Sequence, residues 1–341
     1  MGRVIEVAGI KPSPGVKTHI KIRVTDNFDG SPIEFPVAVM NGQRDGRVLW
    51  VLAGIHGDET AGVQAARKLA NAVEPKQLAG TLVIMPTVNT TAFNARLRES
   101  PIDGKDLNRI FPGKEDGTFS ERLAHLLFQL IKTNARDDDC FLDLHGGGRY
   151  STAASLIEMP EIGGKLDDTQ MDIAEATCNP WLWIIARIGK VGPWRDIYKG
   201  TIGTELQKYF STPKITIEAG ALSQGREEHI QAHLQGALNL LRHLKMLEGT
   251  PQKPTETIIR ITENRRVAPT HRGFWVPKVS VRDKVTKGQL IAVVEDSLAK
   301  EIERLYSPYD GIVLYMRGNG LVDPLAGNHS LGYGANVGKY P

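Results

Sequence analysis

Val48-Leu-Trp-Val-Leu-Ala-Gly54-Ile-His56-Gly-Asp-Glu59-Thr60 is the stretch on which the reading of this chain turns. An apolar, β-type run ends in a glycine, then presents an imidazole and a carboxylate three residues apart. Helix-favouring residues follow at once over 60–73. A buried strand that feeds a helix through a polar turn predicts an α/β fold. Far downstream, Cys140-Phe-Leu-Asp143-Leu-His145-Gly146 repeats the pattern and presents a second histidine. Two imidazoles and one carboxylate at strand ends are the donor set of a catalytic zinc, which takes three protein ligands and keeps a position for water. The His-x-x-Glu spacing is weak alone; the second strand end gives it weight.

The same alternation runs outward from this stretch. Residues 81–88, 140–144, 181–186 and 214–218 read as further buried strands. A helix opens at the capping box Thr118-Phe-Ser-Glu121 and runs to about 134, and another covers about 226–247. Ahead of them, short extended segments are separated by turns at Asp29-Gly30 and Asn41-Gly42. The expectation is a catalytic α/β domain over 1–247 with a mixed sheet flanked by helices. In such sheets ligands gather beyond the carboxyl ends of the strands. His56, Asn89, His145 and Glu218 all fall at or just past such ends.

The run Glu248-Gly-Thr-Pro-Gln-Lys-Pro-Thr255 reads as a linker over 248–257. Beyond it the helical period disappears, and short alternating runs at 279–282, 290–295 and 311–315 predict a smaller all-β domain over 258–341. Val285-Thr-Lys-Gly-Gln-Leu-Ile-Ala and Ser307-Pro-Tyr-Asp-Gly-Ile-Val resemble the lipoyl and biotinyl carrier fold. Between them stands Glu295-Asp-Ser-Leu-Ala-Lys300, without a lysine in the usual attachment motif. The tail reads as a scaffold rather than a swinging arm.

The composition is ordinary: 341 residues, 41% hydrophobic and 24% charged, with a net charge of +3. So small an excess argues against a nucleic-acid surface. Cys140 and Cys178 lack framework spacing and are expected to be reduced, as in a cytoplasmic protein. No signal peptide and no membrane span is expected. The expected partner is a small anionic substrate, and a homo-oligomer is left open.

An amide hydrolase needs more than a metal. Glu218, ending Ile215-Thr-Ile-Glu218, is the expected general base; the bland alternative is an exposed strand-end glutamate. Asp106-Leu-Asn108-Arg109-Ile-Phe-Pro-Gly113 places a guanidinium beside an amide, suited to a substrate carboxylate. Arg98 is expected to carry oxyanion charge, with Arg96 competing on spacing. Asp143 reads either as a partner for a ligand imidazole or as a turn residue. His229 and His233, four apart, read as a solvated helix face, and Asp137–Asp139 as a solvated loop. Trp181 and Trp183 read as core or interface aromatics; Trp194, Tyr198 and Arg149 are candidates for a pocket wall.

Taken in order, Gly-Ile-His56-Gly-Asp-Glu59, Asp-Leu-Asn108-Arg109-Ile-Phe-Pro-Gly, Asp-Leu-His145-Gly-Gly and Ile-Glu218-Ala-Gly resemble the succinylglutamate desuccinylase/aspartoacylase family of zinc carboxypeptidase-like deacylases. The resemblance covers about 48–245 and implies a zinc-carboxypeptidase-like sheet with a β-tail. It implies one Zn2+ per subunit on His56, Glu59 and His145, Glu218 activating water, Arg98 at the oxyanion, and Asn108 with Arg109 on a substrate carboxylate. Length, the Ser100-Pro-Ile-Asp-Gly104 segment and the tail look most like the N-acetyl-diaminobutyrate deacetylase branch. That branch tends to read Glu-Leu-Gly-Gly where this chain has Glu218-Ala-Gly-Ala. The expected activity is zinc-dependent hydrolysis of a small N-acyl amino acid. Alternatives are a zinc carboxypeptidase acting on peptides and a non-catalytic binding protein.

Overall fold

The computed structural model describes residues 5–160, 164–177, 184–188, 199–253, 258–326 and 334–340. The first strands are β1 (Val16–Asp26), β2 (Pro32–Asn41), β3 (Arg44–Ala53), β4 (Ala79–Met85) and β5 (Cys140–His145). Then come β6 (Ser151–Pro160), β7 (Ile184–Ile188) and β8 (Lys214–Ala221). Helices α1 (Thr60–Ala72), α2 (Thr90–Ala95), α3 (Phe119–Asn134), α4 (Lys165–Thr177), α5 (Ile202–Leu206) and α6 (Glu227–His243) lie between and after them. Beyond residue 258 the chain is almost all strand. These strands are β9 (Ile259–Ile261), β10 (Glu263–Val267), β11 (Gly273–Pro277), β12 (Lys284–Val285), β13 (Leu290–Glu295), β14 (Glu301–Tyr306), β15 (Gly311–Arg317), β16 (Gly320–Val322) and β17 (Ala335–Lys339).

The expected mixed α/β architecture with an antiparallel C-terminal part is what forms. Strands β4, β3, β5 and β8 lie side by side and parallel. Antiparallel β2 and β1 extend one edge. On the other side β6 runs antiparallel to β8, and its first residues pair with β15, carrying the sheet on into β17 and β10. A second sheet, ordered β14-β13-β11-β16, faces that extension across a core containing Trp275, Ile291, Val294 and Val337. The catalytic sheet and the tail are therefore joined by backbone hydrogen bonds.

Parallel strands are buried on both faces, so they read as continuous apolar runs. Leu49, Val51, Leu142, Leu144, Ile215 and Ile217 pack with α1 and α6 residues such as Leu69 and Leu240. Trp50, Leu52, Val83 and Phe141 pack on the other face against Leu123, Leu127 and Ile131 of α3. The capping box forms as expected, with the Thr118 amide donating to Glu121 Oε2 at 2.9 Å.

Several expectations change. The segment 279–282 is a turn, because the Ser280 amide donates to Asp283 Oδ2 and Arg282 takes a φ of 74°. Its valines still serve the core, Val279 and Val281 packing against the tail cluster. Asp139 is no solvated loop residue: buried, it accepts the Val48 amide at 2.9 Å and ties the middle of β3 to the start of β5. Strand β6 and helix α4 had no counterpart among the expected elements. The Ser/Ala-rich start of β6 has little β-propensity by composition, and its place is decided by pairing to β8 and β15. Trp181, Trp183, Trp194, Tyr198 and Cys178 lie outside the described residues. Cys140 is buried, free and pushed up to about 12 by that burial. Among the described residues no helix is long and apolar enough to cross a membrane.

His233 departs furthest from expectation. It is fully buried, not on a solvated face, because α6 turns Ile230, His233, Ala237 and Leu240 inward together at helical spacing. Its Nε2 donates to the Ala219 carbonyl at 2.9 Å, while Nδ1 has no partner, so the ring is the neutral Nε2–H tautomer. Burial pushes the imidazole down to about 4. A free histidine titrates near about 6.5, so the unfolded chain binds the proton first as pH falls. The contribution to stability is complete above about pH 6.5 and lost between there and pH 4, on the order of 3 kcal/mol. Denaturant unfolding at stepped pH should show wild type losing stability more steeply over that window than His233→Gln. Parallel curves would show that the buried ring is not responsible.

Candidate active site

The site is assembled at the carboxyl ends of β3, β5 and β8. Gly57 must be glycine: a methyl there would overlap the backbone of Ala92 and Phe93 at α2, and that contact turns the His56–Glu59 loop over the strand ends. Asn89 caps α2 through the Ala92 amide at 3.3 Å and donates to the Ile55 carbonyl at 3.3 Å. It thus anchors the loop ahead of His56 and does not line the cavity.

Glu59 occupies the N-cap of α1 without capping it. Its carboxylate instead lies between two imidazoles, Oε1 at 2.7 Å from His56 Nδ1 and Oε2 at 2.7 Å from His145 Nδ1. The Gly146 amide also donates to Oε2, at 3.2 Å. All three side chains are buried, and the ring centroids of His56 and His145 are 4.9 Å apart. Burial by itself would raise the Glu59 pKa, but the two imidazoles overcome it and hold the carboxyl far below its usual range. His145 is likewise raised well above its ordinary value, Asp143 and Glu59 outweighing burial.

Whether these residues suit a metal can be judged from their outer nitrogens. His56 Nε2 faces Asp106 Oδ1 at 3.1 Å, and His145 Nε2 faces Asp143 Oδ2 at 3.1 Å. Each Nδ1 is therefore turned to the common point while the far nitrogen donates to a carboxylate, as metal-bound histidines do. One ligand atom from each of His56, Glu59 and His145 can be chosen so that all lie within 4.8 Å of one another. The donor set fits a divalent cation of the zinc type. Asp143 proves to be the imidazole partner rather than a turn residue.

The remaining candidates gather around this triad. Arg98 donates through Nε to Asp106 Oδ2 at 3.1 Å and reaches Glu59 Oε1 with Nη1 at 3.5 Å. Asp106, Glu59 and Asp58 raise its pKa against the effect of burial, so it stays charged. Arg96 ends α2 in the left-handed conformation and is exposed, away from the cavity. Asn108 Nδ2 lies 3.4 Å from His145 Nε2, and Arg109 Nη1 donates to the Asn108 carbonyl at 2.8 Å. Glu218 sits opposite His145 in the β5–β8 register, half-buried rather than exposed. Burial, and then the carboxylate of Glu158, push its pKa well up.

These groups line one cavity of about 210 Å³. Arg149 lies on its wall, as expected, with its amide donating to Asp58 Oδ2 at 2.7 Å. Unforeseen wall residues are Asp58, Lys214 and Glu158, together with Tyr315, Arg317 and Asn336 from the tail strands. Tyr315 donates to Glu158 Oε1 at 2.9 Å across 157 residues of sequence. Asp58, Lys214 and Tyr315 stood inside stretches already singled out, and alternation along β8 would have placed Lys214 on the face of Glu218.

Residues 45–244, more than half of the chain, match the model of the succinylglutamate desuccinylase/aspartoacylase catalytic domain. The chain is 29% identical to the N-alpha-acetyl-L-2,4-diaminobutyric acid deacetylase of Halomonas elongata over 276 residues, 77% of this chain and 75% of that protein. In structure it resembles a succinylglutamate desuccinylase/aspartoacylase from Rhodobacter sphaeroides (TM-score 0.85, 24% identity, 99% of both chains). It also resembles the product-bound ectoine utilization protein EutE (DoeB) from Ruegeria pomeroyi (TM-score 0.83, 23% identity, 96% of both chains). At such identities the structural likenesses establish the fold, while the family model covers the triad, Arg98, Asn108, Arg109 and Glu218. The chain belongs to the succinylglutamate desuccinylase/aspartoacylase family, whose members are hydrolytic deacylases.

Proposed function

We propose that this protein is a zinc-dependent deacylase that hydrolyses the amide bond of a small N-acyl amino acid. The observation that carries the reading is the convergence of His56 Nδ1, Glu59 and His145 Nδ1, with a carboxylate behind each imidazole, on the wall of a cavity also lined by Glu218 and Arg98. Zinc held by His56, Glu59 and His145 would supply Lewis acidity to a carbonyl oxygen and to water.

The protein's own groups then have separable tasks. The Glu218 carboxylate has no hydrogen-bond or ion-pair partner among the described residues, which leaves it able to take a proton from the attacking water and return it to the leaving nitrogen. Its raised pKa brings that exchange closer to neutrality. Arg98, held by Asp106 and aimed past Glu59, supports the negative charge that develops on the acyl oxygen. Arg109, beside Asn108, takes the substrate carboxylate. A cavity walled by the tail strands favours a small acyl amino acid over a peptide.

Treatment with a strong chelator should abolish hydrolysis of N-acetyl amino acids, and added zinc should restore it; full activity in metal-free protein would rule out the metal. Glu218→Gln should retain zinc, measured by atomic absorption, while kcat falls on the order of 10² or more. A near-wild-type rate would remove Glu218 from the chemistry. Arg98→Met should lower kcat by about 10²–10³, whereas Arg96→Met should stay close to wild type; the reverse order would exchange their roles. Faster turnover of dipeptides than of N-acetyl amino acids would favour the carboxypeptidase alternative.

A further inference from the structure

The two imidazoles of the triad have unequal support behind them. Behind His56, Asp106 is engaged on both oxygens: Oδ1 accepts from His56 Nε2 at 3.1 Å and from the Asn108 amide at 2.9 Å, and Oδ2 pairs with Arg98 Nη2 at 3.0 Å. The order there is imidazole, carboxylate, cation. Behind His145, Asp143 Oδ2 takes the Nε2 contact, while Oδ1 is buried without a hydrogen-bond partner. A carboxylate so placed is costly unless a cation compensates it.

Lys214 stands where that cation is needed. In the parallel β5–β8 register Phe141 lies opposite Lys214, Asp143 opposite Thr216 and His145 opposite Glu218. Residues two apart on a strand share a face, so these side chains form two rows on one side of the sheet. Asp143 is the diagonal neighbour of Lys214, about 8 Å away between Cα atoms by strand geometry, and both line the same cavity. The lysine is 5% exposed. Its methylenes run across Gly203 of α5, where a methyl group would overlap Cδ and Cε, and they border a small apolar cavity with Trp50 and Phe141. Among the described residues the ammonium forms no direct ion pair. Burial lowers its pKa, and Asp143, then Glu158 and Glu218, act against that. Asp143 is thus its foremost counter-ion, reached at longer range than Arg98 reaches Asp106.

We propose that Lys214 is a positioning residue for the metal centre: its ammonium holds the Asp143 carboxylate turned onto His145 Nε2, as Arg98 holds Asp106 behind His56. This rests on the zinc-deacylase reading of the same site. Removing the ammonium leaves Asp143, Glu158 and Glu218 facing the cavity uncompensated, and the Asp143 carboxylate turns away from the imidazole. The His145 ring then loses the contact that fixes its orientation, and partners of this kind are worth about 10- to 100-fold in metal affinity. A cation that acted only through its field would have the opposite effect, because its loss makes the cavity more negative and favours a dication.

Zinc affinity, measured by competition with a chromophoric chelator, should be compared among wild type, Lys214→Met, Lys214→Gln, Asp143→Asn and the double variant Lys214→Met/Asp143→Asn. Asp143→Asn should weaken zinc binding about 10- to 100-fold, and each Lys214 variant about 10-fold. In the Asp143→Asn background Lys214→Met should add less than about twofold, since two residues acting through one contact are not additive. The visible spectrum of the Co2+-loaded protein should shift in the Lys214 variants and in Asp143→Asn alike, as the His145 ring reorients. Unchanged or tighter zinc binding in the Lys214 variants, or the same loss repeated in the Asp143→Asn background, would overturn the proposal. A readout without metal separates this from failure of the zinc reading. In 15N-labelled metal-free protein the His145 Nε2–H donated to Asp143 should give an exchange-protected resonance. Even if wild type binds neither metal, selective loss of that resonance in both Lys214 variants, with the amide spectrum otherwise unchanged, supports the role. Its persistence refutes it, and a general collapse of the spectrum makes Lys214 a residue of the fold alone.

Discussion

The carboxylate of Glu59, shared between the Nδ1 atoms of His56 and His145, is the contact on which the rest of the site depends. It joins the loop after β3, the N-terminus of α1 and the end of β5 at one buried point. Such a cluster is expensive to desolvate, and its parts are arranged to lower that cost. The imidazoles hold Glu59 ionised, and the helix N-terminus favours negative charge there. Asp106 and Asp143 steady the outer nitrogens. Glu59 gives up its capping hydrogen bond for this, and a good N-cap is worth about 1 kcal/mol. Local helix stability yields to the geometry of the site.

Around that point the sheet acts as a ruler. Parallel pairing of β5 with β8 sets Glu218 beside His145, and antiparallel pairing of β6 with β8 brings Glu158 onto the same face. The β6–β15 pairing then carries the wall into the tail, where Tyr315 reaches back to Glu158. The centre of the cavity is made by strand ends, as expected of an α/β sheet. Its far wall comes from strands that a linear reading assigned to a separate β unit.

Much of this architecture is legible in the order of the residues. The apolar runs ending at Gly54, His145 and Glu218 announce buried strands with polar ends, and the capping box at Thr118 announces a helix. What the residue order conceals, it conceals for physical reasons. Strand β6 begins Ser-Thr-Ala-Ala-Ser, a composition with little β character, and is held by its neighbours. His233 looks like one of a polar pair until the helical period is set against Ile230, Ala237 and Leu240. Asn89 stands at a strand end like His145 and Glu218, but its side chain is consumed in capping α2. Residues 279–282 alternate like a strand, while Asp283 folds them into a turn.

The sequence by itself determined the fold class, the elements that carry the candidate site, and the candidates for its triad, its base and its arginines. Those features follow from local periodicity and from the kinds of side chain that strand ends present. Tertiary structure alone separated Arg98 from Arg96, turned Asp143 onto His145, buried His233 beneath Ala219 and set Lys214 on the cavity wall. Each of these depends on which distant groups have already satisfied one another's charges and hydrogen bonds. Those pairings are made across the sheet, so neighbours in sequence do not reveal them.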